Sequence, residues 1–272
     1  MKSSSKVMKG IFWSAVASAT WGISGTTIQF ISQNQHIPTD WFLSTRTLGS
    51  GTILLIISFI LYGKKTFNVF STWKSFGHLF AYATLGLVAN LLTFYLAIQS
   101  GNASAATILQ YLSPLFIVLG GIFIKHQRPL STDLIAFIIS LLGVLLAITK
   151  GDLTQMSIPM NSFLWGLGSG ITAAFYVVLP RPIAQDNPPL VVLGWGTFIA
   201  GVLFNIYHPV WINTPHITST VVLSISTVIL VGTIIPFGLL LYSSRFAPSD
   251  VISIMDALQP VTTSILSVIF LG

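Results

Sequence analysis

The sequence predicts an all-α polytopic membrane protein with nine transmembrane helices arranged as two related halves. Only 7% of its 272 residues are charged and 53% are hydrophobic, whereas a soluble domain carries about a quarter charged residues on its water-facing surface. The mean hydropathy is +0.84. The apolar residues form long runs, which favour helices over a membrane β-barrel. A sequence match between two segments of the chain indicates that the two halves are related.

This internal match pairs residues 86–124 with residues 232–270 at a shift of 146 positions. Both copies consist of an apolar helix, a short polar break and a second apolar helix. The identities are Gly86 with Gly232, Ile108 with Ile254, Leu112 with Leu258 and Pro114 with Pro260. Few identities carry little weight in apolar sequence, but the matching breaks and the matching prolines indicate a duplication.

The individual spans follow from the thickness of a bilayer, because a core of about 30 Å needs about 20 apolar residues per helix. Polar segments rich in turn-forming residues separate the apolar runs. On this basis we predict nine spans, near residues 11–33, 40–62, 77–98, 103–124, 132–149, 162–183, 190–207, 219–242 and 250–271.

The first repeat is predicted at residues 11–150 with five spans, and the second at residues 160–272 with four. Because five is an odd number, the two copies enter the membrane from opposite sides. Such inverted-topology repeats are typical of secondary transporters, whose substrate site lies near the midplane at the repeat interface. The second repeat lacks a counterpart of the 132–149 helix, so we expect the sequence to be incomplete at its C-terminus.

The distribution of basic residues predicts the orientation. All lysines and arginines except two fall in the N-terminal tail or in loops on the same side: Lys2, Lys6, Lys9, Lys64, Lys65, Lys74, Lys125, Arg128, Arg181 and Arg245. Lys150 alone lies on the other side, and Arg46 lies within the second span. Since cytoplasmic loops carry the excess of positive charge, we predict a multi-pass protein of the cell membrane with a cytoplasmic N-terminus.

The first span has an alternative interpretation. Basic residues precede it, and Ala17-Ser18-Ala19 resembles a signal-peptide cleavage site. The apolar run nevertheless continues to Ile31, and the alternation of charge between the loops requires this span to be retained.

Three segments and one charged residue carry a resemblance to a known family. They are Ala19-Thr20-Trp21-Gly22, Arg46, Leu109-Gln110-Tyr111-Leu112-Ser113-Pro114-Leu115 and Ala257-Leu258-Gln259-Pro260-Val261. In this order and spacing the chain resembles EamA-type permeases of the drug/metabolite transporter superfamily over essentially its whole length. The resemblance implies ten helices in two EamA repeats, and transport of amino acids, related metabolites or drugs, commonly outward. Family members often have Glu-Pro where this chain has Gln259-Pro260.

Asp256 is the acidic residue predicted to lie deepest within a span of a chain that contains no glutamate. An aspartate in hydrocarbon is costly and usually faces a cavity or a partner. Ser253 and Gln259 lie three residues to either side, on the same helical face, and the internal match places Gln110 at the corresponding position. We predict that these residues line a substrate cavity in which Asp256 binds a cationic group or a coupling proton. Hydrogen bonding that only stabilises the bundle is the alternative.

Arg46 is the second charge within a predicted span. It is expected either to extend to the outer headgroups or to attract an anionic substrate or a helix C-terminus. We do not expect an ion pair between Arg46 and Asp256, because they enter the membrane from opposite sides.

Prolines and aromatic residues complete the predicted site. Pro114, Pro260 and Pro236 each remove a helix hydrogen bond near mid-membrane, and broken helices at matching places in two repeats indicate a transporter site. Asn90 is the first-repeat counterpart of Pro236. The aromatic residues that could contact an aromatic or ammonium group are Trp21, Tyr95, Tyr111, Tyr176 and Trp195.

Several other functions find no support in the sequence. There is no cysteine, and the five histidines lie in loops or at span ends without ligand spacing, so we expect no metal and no cofactor. No P-loop, nucleophile elbow or pair of catalytic carboxylates is present, and we expect the protein not to be an enzyme. The expected partners are a small-molecule substrate, the lipid bilayer and protons, without nucleic acid; a homodimer is left open. The alternatives are a non-transporting fragment and a membrane enzyme or assembly factor.

Overall fold

The computed structural model describes residues 4–126, 135, 138–139, 142–146, 149, 157–247 and 249–271. Within these ranges the regular structure is helical and contains no strand. The fifth predicted span, residues 132–149, lies largely outside the described residues.

Over residues 4–126 the first half contains six α-helices, several of which continue into irregular helical turns. They are α1 (Ser4–Gln29) with the π-helical turn Phe30–Asn34, α2 (Thr39–Tyr62) with the 3₁₀-helix Gly63–Phe70, α3 (Trp73–Ala81) with the π-helical turn Tyr82–Val88, α4 (Ala89–Ser100), α5 (Ala103–Gln110) and α6 (Ser113–Lys125). The turn between α4 and α5 is very short because the Asn102 side chain caps α5, accepting a hydrogen bond of 2.8 Å from the Ala105 amide.

The second half also consists of α-helices, one of which continues into an irregular helical turn. Its helices are α7 (Met160–Val178), α8 (Arg181–Ala184), α9 (Pro189–Tyr207), α10 (Ser219–Ile229) with the π-helical turn Leu230–Ile234, α11 (Ile235–Ser243), α12 (Ser249–Met255) and α13 (Leu258–Leu271). At the 146-residue shift, the π-helical turn in this half falls on residues 84–88 of the turn Tyr82–Val88. The two halves therefore contain π-helical turns at corresponding positions.

Six helical segments of the described chain are long and apolar enough to cross a membrane. They are Thr39–Phe70, Trp73–Ser100, Ala103–Phe123, Met160–Ala184, Pro189–Tyr207 and Ser219–Ser243. These correspond to the second, third, fourth, sixth, seventh and eighth predicted spans. The first and ninth predicted spans are helical, as α1 and as α12 with α13, but are not among the six. The all-α polytopic fold is confirmed, and the count of nine spans stays a prediction.

The second predicted spans of the two halves, which form α2 and α9, cross closely at glycines. A Cβ atom added to Gly51 would lie 2.6 Å from the Cα of Phe198, and one added to Gly201 would lie 2.7 Å from the amide nitrogen of Leu48. Leu48 contacts Gly201, and Gly51, further along α2, contacts Phe198, which lies earlier in α9. The helices α2 and α9 therefore run antiparallel. The contacts of Gly51 with Phe198 and of Gly201 with Leu48 are related by a shift of 150 positions, four more than in the internal match. The two halves therefore make a similar contact twice.

The two halves are interleaved through their first helices. α1 packs against α11 and α13 of the second half, while α7 packs against α4 and α5 of the first half. Glycines again permit the approach: a Cβ added to Gly86 would lie 3.1 Å from the Cα of Tyr176, and one added to Gly22 would lie 2.6 Å from the Cβ of Thr262. Small residues at such crossings are typical of membrane bundles.

Contacts between chain segments define two ends of the bundle. At one end the Trp195 indole N–H donates to the carbonyl of Thr66 at 2.8 Å, and Lys9 lies over the Phe246 ring at 4.7 Å. At the opposite end Trp41 donates to the carbonyl of Val210 at 2.8 Å. We call the first the basic end, because it carries Lys9, Lys64, Lys65, Lys74, Arg181 and Arg245.

Candidate functional site

The fourth and ninth predicted spans are each broken near their middle. α5 and α6 are separated by a turn at Tyr111 and Leu112, and α12 and α13 by a turn at Asp256 and Ala257. Pro114 and Pro260 follow these turns within a few residues. Since proline has no amide hydrogen to donate to the carbonyl four residues earlier, the carbonyls of Gln110 and Asp256 lack the usual helical donor. The Asp256 carbonyl accepts a hydrogen bond of 3.0 Å from the Gln259 amide instead.

One of these two carbonyls has a partner from the other half of the molecule. The hydroxyl of Tyr111 donates to the carbonyl oxygen of Asp256 and lies 3.3 Å from Oε1 of Gln259. The Asp256 carboxylate accepts a hydrogen bond of 3.2 Å from the buried hydroxyl of Ser18. These four residues, which we call the aspartate cluster, join the two broken helices to α1.

Gln110 points to a different group of side chains. Its Nε2 donates to Oγ of Ser169 at 3.0 Å and to Oδ1 of Asn90 at 3.3 Å. Asn90 in turn donates to the carbonyl of Ser169 at 3.0 Å and to Oγ1 of Thr172 at 3.2 Å. We call these four residues the amide cluster; it joins α4, α5 and α7.

The two clusters meet at adjacent residues of one turn, because Gln110 belongs to the amide cluster and Tyr111 to the aspartate cluster. Gln110 and Asp256, which correspond in the internal match, therefore lie in different clusters. The predicted stripe of Ser253, Asp256 and Gln259 assumed a continuous helix, and the turn at Asp256 interrupts it. The Ser253 side chain lies outside the described residues.

Arg46 lies in α2 and is half-buried. Four residues earlier on the same helix, the ring of Phe42 packs against Tyr95 with the centroids 5.2 Å apart. Within the described part of the chain, the guanidinium has no ion-pair or hydrogen-bonding partner. Arg46 therefore supplies a positive charge that no described side chain neutralises.

The predicted aromatic residues occupy distinct environments. Trp21 packs edge-on against Phe237 at 5.4 Å between centroids. Tyr95 is buried and donates to the carbonyl of Ile37 at 3.2 Å, so it joins the core at the opposite end. The ring centroid of Tyr176 lies 5.7 Å from that of Tyr82.

Tyr176 also lines a cavity of about 260 Å³ at the basic end. Its walls come from α7, α8, α9, α11 and the π-helical turn Tyr82–Val88, and its lining is Tyr82, Tyr176, Val177, Pro180, Ala184, Pro189, Leu190, Val192, Leu193, Phe237 and Leu241. Pro236, the third predicted kink residue, is in the first turn of α11 and precedes Phe237.

Sequence reasoning missed Ser18, Tyr82, Ser169 and Thr172. A partial signal existed for two of them, since Ser169 and Thr172 are polar residues three positions apart on one face of an apolar helix. Among the described residues no group of three or more histidine, cysteine or acidic side chains could hold a metal ion.

Interleaved apolar helices with two broken segments joined near their centres define a multi-pass membrane protein of the transporter type. The model of the EamA-like transporter family matches residues 8–149 and 160–272. The chain belongs to this family, and the predicted EamA resemblance is confirmed. The protein is a membrane transporter.

Two further comparisons agree with this assignment. The chain is 29% identical over 264 residues to the uncharacterized inner membrane transporter YicL of Salmonella typhimurium (strain LT2), covering 97% of this chain and 88% of that protein. A protein of known crystal structure shares the fold, with a TM-score of 0.64 and 17% identity, over 98% of this chain and 88% of the other.

Proposed function

We propose that the protein moves a small metabolite, such as an amino acid or a drug-like compound, across the cytoplasmic membrane by alternating access, in the outward direction. The observation that carries this proposal is the junction of the two broken helices, where Tyr111 of one repeat binds the carbonyl of Asp256 in the other. A contact at the centre of two repeats is where a substrate site is expected in transporters built from inverted repeats.

The antiparallel crossing of α2 and α9 supports an inverted arrangement of the repeats. Equivalent residues of the two halves make the same contact twice, which is the relation that a pseudo-two-fold axis produces. Under this arrangement one half rocks against the other about a fixed site, and the interleaved first helices, α1 and α7, carry the motion to both clusters.

We assign the polar side chains of the clusters to substrate binding and coupling. The half-buried carboxyl of Asp256, held by Ser18, binds a cationic group of the substrate or a coupling proton. The amide cluster, with Gln110 and Asn90, offers donors and acceptors to polar substrate atoms. Arg46 supplies positive charge to an anionic group.

The concentration of lysines and arginines at one end of the bundle supports a cytoplasmic position for that end. The N-terminal helix begins there, so the N-terminus is cytoplasmic in this proposal. Proton coupling and a homodimer are the remaining parts of the proposal, and the first of them depends on Asp256.

The test is counterflow of radiolabelled amino acids into proteoliposomes containing the purified protein, with and without an imposed pH gradient. We expect the Asp256→Asn variant to lose at least 10-fold of the gradient-driven flux, because the amide cannot exchange a proton. Asp186→Asn, at an exposed loop position, is the matched control and is expected to retain the flux of the parent protein.

Equal gradient-driven flux in the parent protein and in Asp256→Asn would remove Asp256 from the coupling mechanism. Absence of flux for a broad panel of metabolites, in protein that is folded and inserted, would favour the non-transporting alternative.

A further inference from the structure

We propose that the cavity at the basic end binds the uncharged aromatic part of the transported molecule, so that the substrate is a small compound with one or two aromatic rings. This inference rests on the proposed function, because it treats the cavity as a part of the substrate path. The occupant is identified from the lining, the size and the position of the cavity.

The lining is apolar and contains no charged side chain. Tyr82, Leu190, Val192 and Leu193 are buried and form its inner wall. Apolar ligand surface placed there is removed from water, which favours binding. A phosphate or carboxylate group would lose its hydration without finding a counter-charge, so the lining selects against anionic groups.

Aromatic side chains form a large part of the wall. The rings of Tyr82 and Tyr176 lie 5.7 Å apart at an interplanar angle of 39°, and Phe237 contributes a third ring. Aromatic rings in contact attract one another beyond the gain from the burial of their area. A flat ring can therefore contact several walls at once, which a flexible lipid chain cannot do as favourably.

The volume of the cavity limits the size of the occupant. Sites for drug-sized ligands measure about 300–1,000 Å³, and this cavity, at about 260 Å³, is smaller. It accommodates one or two fused rings rather than an extended amphiphile.

The position of the cavity connects it to both halves and to the aspartate cluster. Tyr82 comes from the first half, and Tyr176, Leu193 and Phe237 from the second, so a movement between the halves changes its shape. Phe237 packs against Trp21 at 5.4 Å. Trp21 lies one helical turn after Ser18, which binds Asp256. The Trp21–Phe237 contact therefore connects the cavity wall to the helix that carries Ser18 of the aspartate cluster.

Binding of radiolabelled indole to the full-length protein in detergent, measured by equilibrium dialysis, tests this inference. We expect Leu193→Trp, on the inner wall, and Leu241→Trp, on the half-buried side of α11, each to weaken indole binding at least 10-fold by filling the cavity. The matched control is Leu223→Trp on α10, where the leucine is 69% exposed; its affinity for indole should equal that of the parent protein. Phenyl phosphate, an anionic compound with one ring, should bind at least 10-fold more weakly than indole.

Unchanged indole affinity in Leu241→Trp would overturn the inference, even if Leu193→Trp failed to fold. Equal binding of phenyl phosphate would overturn it as well, and so would displacement of indole by phospholipid, which would assign the cavity to an acyl chain. The same variants are assayed for counterflow of any metabolite that the parent protein carries. Normal counterflow together with unchanged indole binding rejects the cavity assignment alone, whereas absence of counterflow in the parent protein rejects the proposed function.

Discussion

Tyr111 is the residue on which the centre of the bundle depends. Pro260 cannot donate to the Asp256 carbonyl, which instead accepts one hydrogen bond of 3.0 Å from the Gln259 amide and a second one from a side chain. That second donor is the Tyr111 hydroxyl, which comes from the other repeat. The break at one proline thus leaves a carbonyl accessible to a side chain 145 positions away.

We predict that Tyr111→Phe lowers the free energy of unfolding by about 1 kcal/mol, because the carbonyl loses its side-chain donor, and that it lowers the counterflow rate. Thermal unfolding of the purified protein in detergent measures the first effect and proteoliposome counterflow the second. Tyr207→Phe, at an exposed end of α9 where the tyrosine is 78% exposed, is the control and should change neither.

If Tyr111→Phe retained the stability and the counterflow rate of the parent protein, the hydrogen bond to Asp256 would not stabilise the contact between the repeats.

At the scale of the helical element, α2 and α9 depend on the absence of side chains at two equivalent positions. The backbone of Phe198 occupies the space in which a Cβ on Gly51 would lie, and the backbone of Leu48 occupies the corresponding space at Gly201. Backbone atoms cannot turn aside as the end of a flexible side chain can. The helices must therefore separate if either glycine is replaced.

We predict that Gly51→Ala lowers the free energy of unfolding by about 1–3 kcal/mol, the usual cost of overpacking a tight contact. Gly77→Ala is the same chemical change within α3, where an added Cβ meets nothing within 4 Å. Because alanine is a better helix former than glycine by about 1 kcal/mol, this control should be as stable as the parent protein or more stable. Thermal unfolding of both variants in detergent provides the comparison, and equal loss of stability in the two would contradict the role of the α2–α9 crossing.

At the scale of the whole molecule, the distribution of charge between the two ends of the bundle predicts its orientation in the membrane. The basic end includes the cavity, the start of α1 and the 3₁₀-helix Gly63–Phe70, while residues 208–218 lie at the opposite end. Positive charge concentrates on the cytoplasmic side of membrane proteins. The cavity should therefore open toward the cytoplasm, which suits the capture of a substrate for export.

We predict that, in intact cells, a membrane-impermeant maleimide labels Thr214→Cys and labels Lys74→Cys only after permeabilisation. Since the chain contains no cysteine, each variant carries a single reactive thiol without further substitution. Both positions are exposed. Labelling of Lys74→Cys in intact cells, with Thr214→Cys protected, would reverse the orientation and place the cavity on the outer face.

The local features of this protein could be predicted from its sequence, because they depend on neighbouring residues. Long apolar runs mark the helices, since a backbone in hydrocarbon must satisfy its own hydrogen bonds. Pro114 and Pro260 mark the broken helices, because a missing amide hydrogen acts within one turn. The repeated segments predicted the family and the fold, and both are confirmed.

The arrangement of the site could not be predicted in the same way, because it joins residues that are distant in sequence. Periodicity placed Asp256 and Gln259 on one helical stripe, but the turn at Asp256 ends that periodicity. Correspondence between the repeats placed Gln110 with Asp256, whereas helix packing directs Gln110 to Asn90 and leaves Tyr111 for Asp256. Hydrogen bonds between helices form only where packing brings the partners together. Local chemistry therefore predicts where this chain is helical and where it breaks, and only the tertiary structure determines which side chains meet at the breaks.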